Sequence, residues 1–201
     1  FKVFNKIIDE LLALPMMKLD GTNGNKRREG CAMGNYGYFG GYRLCDGRLE
    51  HRTLSGIWLS HPKLAEVVFG VAKAIIDEVY KLIANNDFNM EYMYPENLKN
   101  RNIFNVNFDD WGRIQLANDI GCTRPSIEMQ KLLIKSQAKV INKPFIKKWH
   151  THMKGLSTYG KYETYIDALA ELLCRPAKEL QGIDTCIKSN WLEGKKFKLN
   201  L

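Results

Sequence analysis

The sequence predicts an α+β fold: a small antiparallel sheet built on one hairpin, long helices backing it, and a mostly helical region towards the C-terminus. Asp46-Gly47 stands between the strand-like runs YRLC (42–45) and RLEH (48–51). An Asp-Gly pair so placed is a strong hairpin signal, because a type I′ turn needs positive φ at both central positions. Residues 63–84 set Leu64, Val67, Val68, Val71, Ala72, Ile75, Val79 and Leu82 on one broad helical face. That face is expected to pack on the apolar side of the sheet.

The other elements follow in chain order. Phe4, Ile7, Ile8, Leu11, Leu12 and Leu14 recur at helical spacing, so residues 2–14 read as an amphipathic helix ending at Pro15. LDGTNGNKRREG (19–30) reads as an exposed loop with a basic pair, Arg27-Arg28. Gly34, Gly37, Gly40 and Gly41 are interleaved with Tyr36, Tyr38, Phe39 and Tyr42. A phosphate-cradling loop would end in G-K-[ST], which is absent here, so the glycines read as permitting bends and close packing in a strand region. Ser60 or His61 caps the long helix, with Pro62 at its first position. Helical patterns return at 126–140 and 161–173, a loop follows from Arg175, and the end, GKKFKLNL, is basic.

Composition bounds the function. The 201 residues are 45% hydrophobic and 26% charged, a globular balance. No apolar run reaches the roughly 18 residues of a membrane span. Thirty Lys and Arg against 22 Asp and Glu give a net charge of +8, which favours anionic partners without choosing among them. Five cysteines, odd in number and without C-x-x-C spacing, fit free thiols in a reducing cytoplasm. The chain opens on Phe1 without a signal-peptide pattern, as expected of a processed or truncated protein.

Counting outward from the turn pairs Cys45 with Arg48, Leu44 with Leu49, Arg43 with Glu50, Tyr42 with His51, and Gly41 with Arg52. Strand alternation then gathers Arg43, Arg48, Glu50 and Arg52 on one face, and Tyr42, Leu44, Leu49 and His51 on a plausible core face. A lone Glu opposite an Arg is commonly an exposed ion pair worth about 1 kcal/mol or less. The surplus of arginine supports the other reading, a ligand site, because guanidinium forks suit phosphate and carboxylate oxygens.

The ordered set G-N-Y-G-Y-F-G-G-Y-R, L-E-H-R-T-L-S-G-I-W-L and S-H-P-K-L-A-E-V-V-F-G-V-A-K-A-I, preceded by L-A-L-P and Arg27-Arg28, resembles the phage-type amidoligases over residues 1–84. These are carboxylate–amine ligases with a glutamine-synthetase-like fold. The resemblance implies that Glu50 of E-x-R is a metal ligand and Arg52 a phosphate or substrate contact. Arg43 would be a second site arginine, and Arg27 or Arg28 a more loosely placed one. It implies ATP and Mg²⁺ as cofactors, and small-molecule or peptide carboxylates and amines as substrates. His51 stands where the family has an aromatic residue, on the face away from the site. The family's upstream acidic ligands and histidine segment have no counterpart here.

Residues 1–90 are therefore expected to be the C-terminal part of a glutamine-synthetase-like catalytic domain, completed by a missing N-terminal half or a partner chain. Residues 91–201 would be a mostly helical extension, or part of the same domain. The expected location is the cytoplasm, the host's if the protein is phage-encoded. The alternative is a non-catalytic structural or nucleic-acid-associated protein on a degenerate ligase scaffold.

Three further clusters carry weaker signals. His150 and His152 would share a face in a strand and could bind zinc, but no third ligand accompanies them, so an incidental surface pair is preferred. Asp109-Asp110 reads as a polar turn. Lys143, Lys147, Lys148 and Lys154 among Phe145 and Trp149 could track phosphates, yet a lysine-rich solvated helix end is the preferred reading.

Overall fold

The computed structural model describes residues 2–20, 37, 41–85, 141–180 and 191. They fall into two compact units, one holding the residues up to Leu54, the other those from Ser55 to Asn85 and from Asn142 onward. The helical expectation over 126–140 lies outside the described residues. None of the described helices is long and apolar enough to cross a membrane.

In the first unit the opening segment is helical from Lys2 to Leu19, but its winding changes on the way. Helix α1 (Lys2–Ile8) runs into a π-helical turn (Asp9–Ala13), then α2 (Leu14–Met16), then a 3₁₀ turn (Met17–Leu19). The expected stop at Pro15 is corrected by this geometry. Proline has no N–H to donate, and its ring crowds the carbonyl four residues back. Here the preceding turn is widened, with the Leu14 N–H reaching back five residues to the Asp9 carbonyl. Pro15 then sits in the first turn of α2, where a missing N–H costs little. Amphipathicity is corrected too. Ile7, Leu11, Leu12 and Met16 are buried, but so are Asn5, Asp9 and Glu10. A segment enclosed on all sides must carry its polar residues inward, where they need partners.

Strands β1 (Tyr42–Cys45) and β2 (Arg48–His51) form the expected hairpin. Asp46 and Gly47 have φ of 47° and 77°, the positive pair that the turn requires. The register is the one counted from the sequence, with Tyr42 opposite His51, Arg43 opposite Glu50, Leu44 opposite Leu49 and Cys45 opposite Arg48. Leu49 is half-buried, and the Leu44 side chain lies outside the described ones.

The second unit is a helical assembly. Its longest helix, α3, spans Pro62–Ala84, with Pro62 at the start and His61 as the cap, the imidazole Nδ1 accepting from the Lys63 N–H at 3.1 Å. The apolar stripe is buried as expected, from Leu64 through Val71 to Leu82. Within the second unit α3 packs on α5 (Tyr159–Cys174), which also packs on α4 (Lys143–Lys154). Gly70 makes the α3–α5 approach possible, since a Cβ there would lie 2.1 Å from Tyr165 Cγ. Asp77 fastens the same pair, accepting from Lys73, from Tyr162 Oη at 2.5 Å and from Lys161 Nζ at 2.9 Å. Hydrogen bonds from Lys73, then Tyr162, then Lys161 hold its carboxyl far below the usual carboxylate range.

Helix α4 separates the basic–aromatic stretch onto two faces. Phe145, Ile146, Trp149 and Met153 are buried, whereas Lys143, Lys147, Lys148 and Lys154 are exposed, so the lysines form a solvated face. The strand geometry considered for His150 and His152 is corrected as well. Two positions apart on a helix they diverge: His150 Nε2 meets Asp167 Oδ1 at 2.6 Å, and His152 has its Nε2 buried.

Candidate functional site

The hairpin brings three of the expected site residues together. Arg43 Nη2 lies 2.6 Å from Glu50 Oε2, and Arg52 Nε lies 3.0 Å from Glu50 Oε1. The two arginines therefore hold opposite oxygens of one carboxylate. The cross-strand pairing places Arg43, and Arg52, just past the end of β2, lies two residues beyond Glu50. Their exposures grade inward: the Arg43 side chain is 55% exposed, Glu50 33% and Arg52 8%. The trio has a solvent-facing arm in Arg43 and a buried one in Arg52.

Arg52 is fixed by its backbone as well as its side chain. Its N–H donates to the Gly41 carbonyl at 2.9 Å, and its carbonyl accepts from the Gly37 N–H at 2.7 Å. Gly37 has φ 92°, a conformation that glycine adopts without strain. The glycine-rich stretch thus contributes backbone contacts to the buried arginine of the trio. Arg27 and Arg28 lie outside the described residues, as do Asp109 and Asp110.

The other face of the hairpin carries a contact that sequence reasoning missed. His51 Nε2 meets Asp9 Oδ1 at 2.6 Å, with the two side chains 14% and 3% exposed. His51 therefore ties β2 to the π-helical turn. One signal was present: strand alternation put His51 on a core face, where an imidazole needs a partner.

A second buried carboxylate lies in the other unit. Glu78 is fully enclosed, and its Oε2 accepts from Ser157 Oγ at 2.8 Å and from the Thr158 N–H at 3.0 Å, at the start of α5. Glu78 Oε1 and His152 Nε2 are both buried without a hydrogen-bond partner. Burial pushes His152 down to about 4, while the nearby Glu78 charge pulls the other way. Among the described residues no group of three or more His, Cys, Asp or Glu side chains is placed to hold a metal ion.

Residues 3–97 match the family model of the phage phiEco32-like COOH.NH2 ligase-type 2. This is the phage amidoligase likeness carried by the sequence motifs. The matched segment runs from α1 through the hairpin and the whole of α3, and it covers just under half of the chain. The Arg43, Glu50 and Arg52 trio lies inside it. No curated protein and no solved structure matches the chain.

Proposed function

We propose that the protein is an ATP-dependent carboxylate–amine ligase and that the hairpin trio is part of its anion-binding site. The observation that carries this reading is the convergence of Arg43 and Arg52 on Glu50 within the segment that matches a COOH.NH2 ligase family. Amide formation in water needs an activated acid. In the route that the family likeness implies, a carboxylate oxygen of one substrate attacks the γ-phosphorus of ATP and the bond to the β-phosphate oxygen breaks. ADP leaves, and the acid becomes an acyl-phosphate. The amine nitrogen then attacks the acyl carbon, its proton is lost, and inorganic phosphate departs with the former carboxylate oxygen. Both steps place negative charge on phosphoryl oxygens, and fixed guanidinium donors stabilise such charge where it develops.

The magnesium that the likeness also implies does not fit Glu50 as the described residues hold it. Octahedral magnesium takes several oxygen ligands, and this carboxylate has both oxygens within 3.0 Å of guanidinium nitrogens.

The test is release of ADP and phosphate by the full-length protein, given ATP, a panel of carboxylic acids and an acceptor amine. Release that requires both acid and amine is expected. Arg52→Lys should lower it at least about tenfold, because a point charge does not reproduce the planar fork on a phosphoryl group. Absence of nucleotide turnover across the panel would shift the reading to a non-catalytic protein on a ligase scaffold.

A further inference from the structure

We infer that the outer face of α3 is a self-association surface, on which α3 of a second copy of this chain docks antiparallel about a twofold axis between residues 74 and 75.

Helix α3 is apolar on two sides. The stripe from Leu64 to Leu82 is buried, while Phe69, Tyr80 and Ile83 on the outer side are 62%, 69% and 53% exposed. Exposed apolar residues scattered singly are ordinary on a protein surface, but these share a line. With exposed Glu66 and Lys73 and half-buried Ile76, they recur at alternating steps of three and four residues. That is the spacing of a helix–helix seam, and from Glu66 to Ile83 it runs about 26 Å. Phe69 is held in place by an edge-on contact with Trp58, the ring centroids 5.1 Å apart. A fixed aromatic ring loses little freedom when a partner covers it.

The charges on the seam select the occupant. In a parallel pair of α3 helices Glu66 would meet Glu66 and Lys73 would meet Lys73, and like charges in register repel. The antiparallel pair removes both clashes. Phe69 then faces Tyr80 of the other copy, an aromatic pair made twice. Lys73 lays its aliphatic stem on Ile76 of the other copy, with its ammonium one position from Asp77. Glu66 faces Ile83 of the other copy and lies two positions from Lys81. The Oε2 of Glu66 meets Lys63 at 3.0 Å, and Lys81 is exposed with no acidic partner among the described residues. Opposite charges therefore meet across the seam using this chain alone, and a twofold contact closes at two copies.

The experiment is sedimentation velocity of the full-length protein over a concentration series at low ionic strength. Wild type is expected to pass from monomer to dimer and no further. Phe69→Ser should weaken the dimer at least about tenfold, as loss of a central aromatic anchor does. Its ring is mostly exposed, so the variant should fold, which a melting curve verifies. Charge exchange tests the register. Glu66→Lys sets a lysine beside Lys81 of the other copy, and Lys81→Glu sets a glutamate beside Glu66, so each should weaken the dimer several-fold. The double variant should recover it, and so should an equimolar mixture of the two single variants, because opposite signs then face each other again. Misfolding does not produce recovery on mixing. Four results would each overturn the inference. Wild type could stay monomeric at every concentration, as it would if another part of the chain or a different protein covers this face. Assembly could continue beyond the dimer. The dimer could be indifferent to Phe69→Ser, or the single charge variants could be rescued neither by the double variant nor by mixing.

Discussion

Each unit of this molecule encloses a carboxylate with a histidine in range, and the two meet the cost of burial differently. In the first unit Asp9 accepts directly from His51 at 2.6 Å. In the second, Glu78 takes its hydrogen bonds from Ser157 and from the backbone at the start of α5, and His152 remains beside it without a bond to its Nε2. A helix N-terminus offers unpaired N–H groups and a favourable dipole, so Glu78 has a partner of its own. His152 has lost water without gaining a donor or acceptor at Nε2, and so it is held neutral. The lesson is that a buried acid is tolerated for its particular donors, not for the mere nearness of a basic ring.

The strongest way to break that comparison is to bury a carboxylate where no donor waits. Val71 is fully enclosed on the same face of α3, two helical turns before Glu78. Val71→Asp should destabilise the protein by about 4 kcal/mol or more, because the new charge has neither cap nor ring to meet it. Urea denaturation measures the loss. A midpoint within experimental error of wild type would show that burial alone, without donors, is cheap on this face.

A smaller effect isolates His152. Its folded pKa, about 4, lies below the unfolded value near 6.5, so the unfolded chain takes up the proton first. Its contribution is complete above pH 6.5, where the ring is neutral in both states, and is lost progressively as the pH falls towards 4. At about 1.4 kcal/mol per pH unit the full window amounts to about 3 kcal/mol. Melting curves between pH 6.5 and 5, taken for wild type and His152→Leu, should show a steeper fall in wild type. Parallel slopes would mean that the ring titrates normally.

The smallest expected effect sharpens the other side. His51→Phe removes the imidazole that Asp9 accepts from, and Asp9→Leu removes the carboxylate that His51 meets. Each should cost about 2 kcal/mol, and the double variant should lose less than the two together, with a coupling of about 1 kcal/mol. The check is a double-mutant cycle by urea unfolding. Additive losses would show that the 2.6 Å contact contributes no coupling energy of its own.

What could be read from the sequence was what neighbours in the chain determine. The register of the hairpin follows from a two-residue turn, so Arg43 and Glu50 could be paired by counting. The start of α3 followed from Pro62 and a capping side chain. What could not be read depends on distant chain or on an altered period. Asp9 and His51 are 42 positions apart, and nothing local to either names the other. The widened turn before Pro15 breaks the assumption that a proline inside a helical pattern ends it. His150 and His152 looked alike only under a two-residue period, and on a helix they part. The enclosure of Glu78 depends on Ser157 and Thr158, about eighty positions further along the chain.

The contact between Gly70 and Tyr165 gives position 70 an unusual mutational profile. Glycine inside a helix lowers its stability by about 1 kcal/mol relative to alanine, and by propensity alone any common helix former would replace it with benefit. Yet even the single methyl group of alanine would collide with the inner carbons of a tyrosine ring, which cannot swing aside as the tip of a flexible chain would. The helix therefore tolerates a weak residue where the Tyr165 side chain of α5 lies against its backbone. A table of the substitutions that the folding of α3 tolerates would be permissive at exposed Tyr80 and closed at Gly70, about three turns before it.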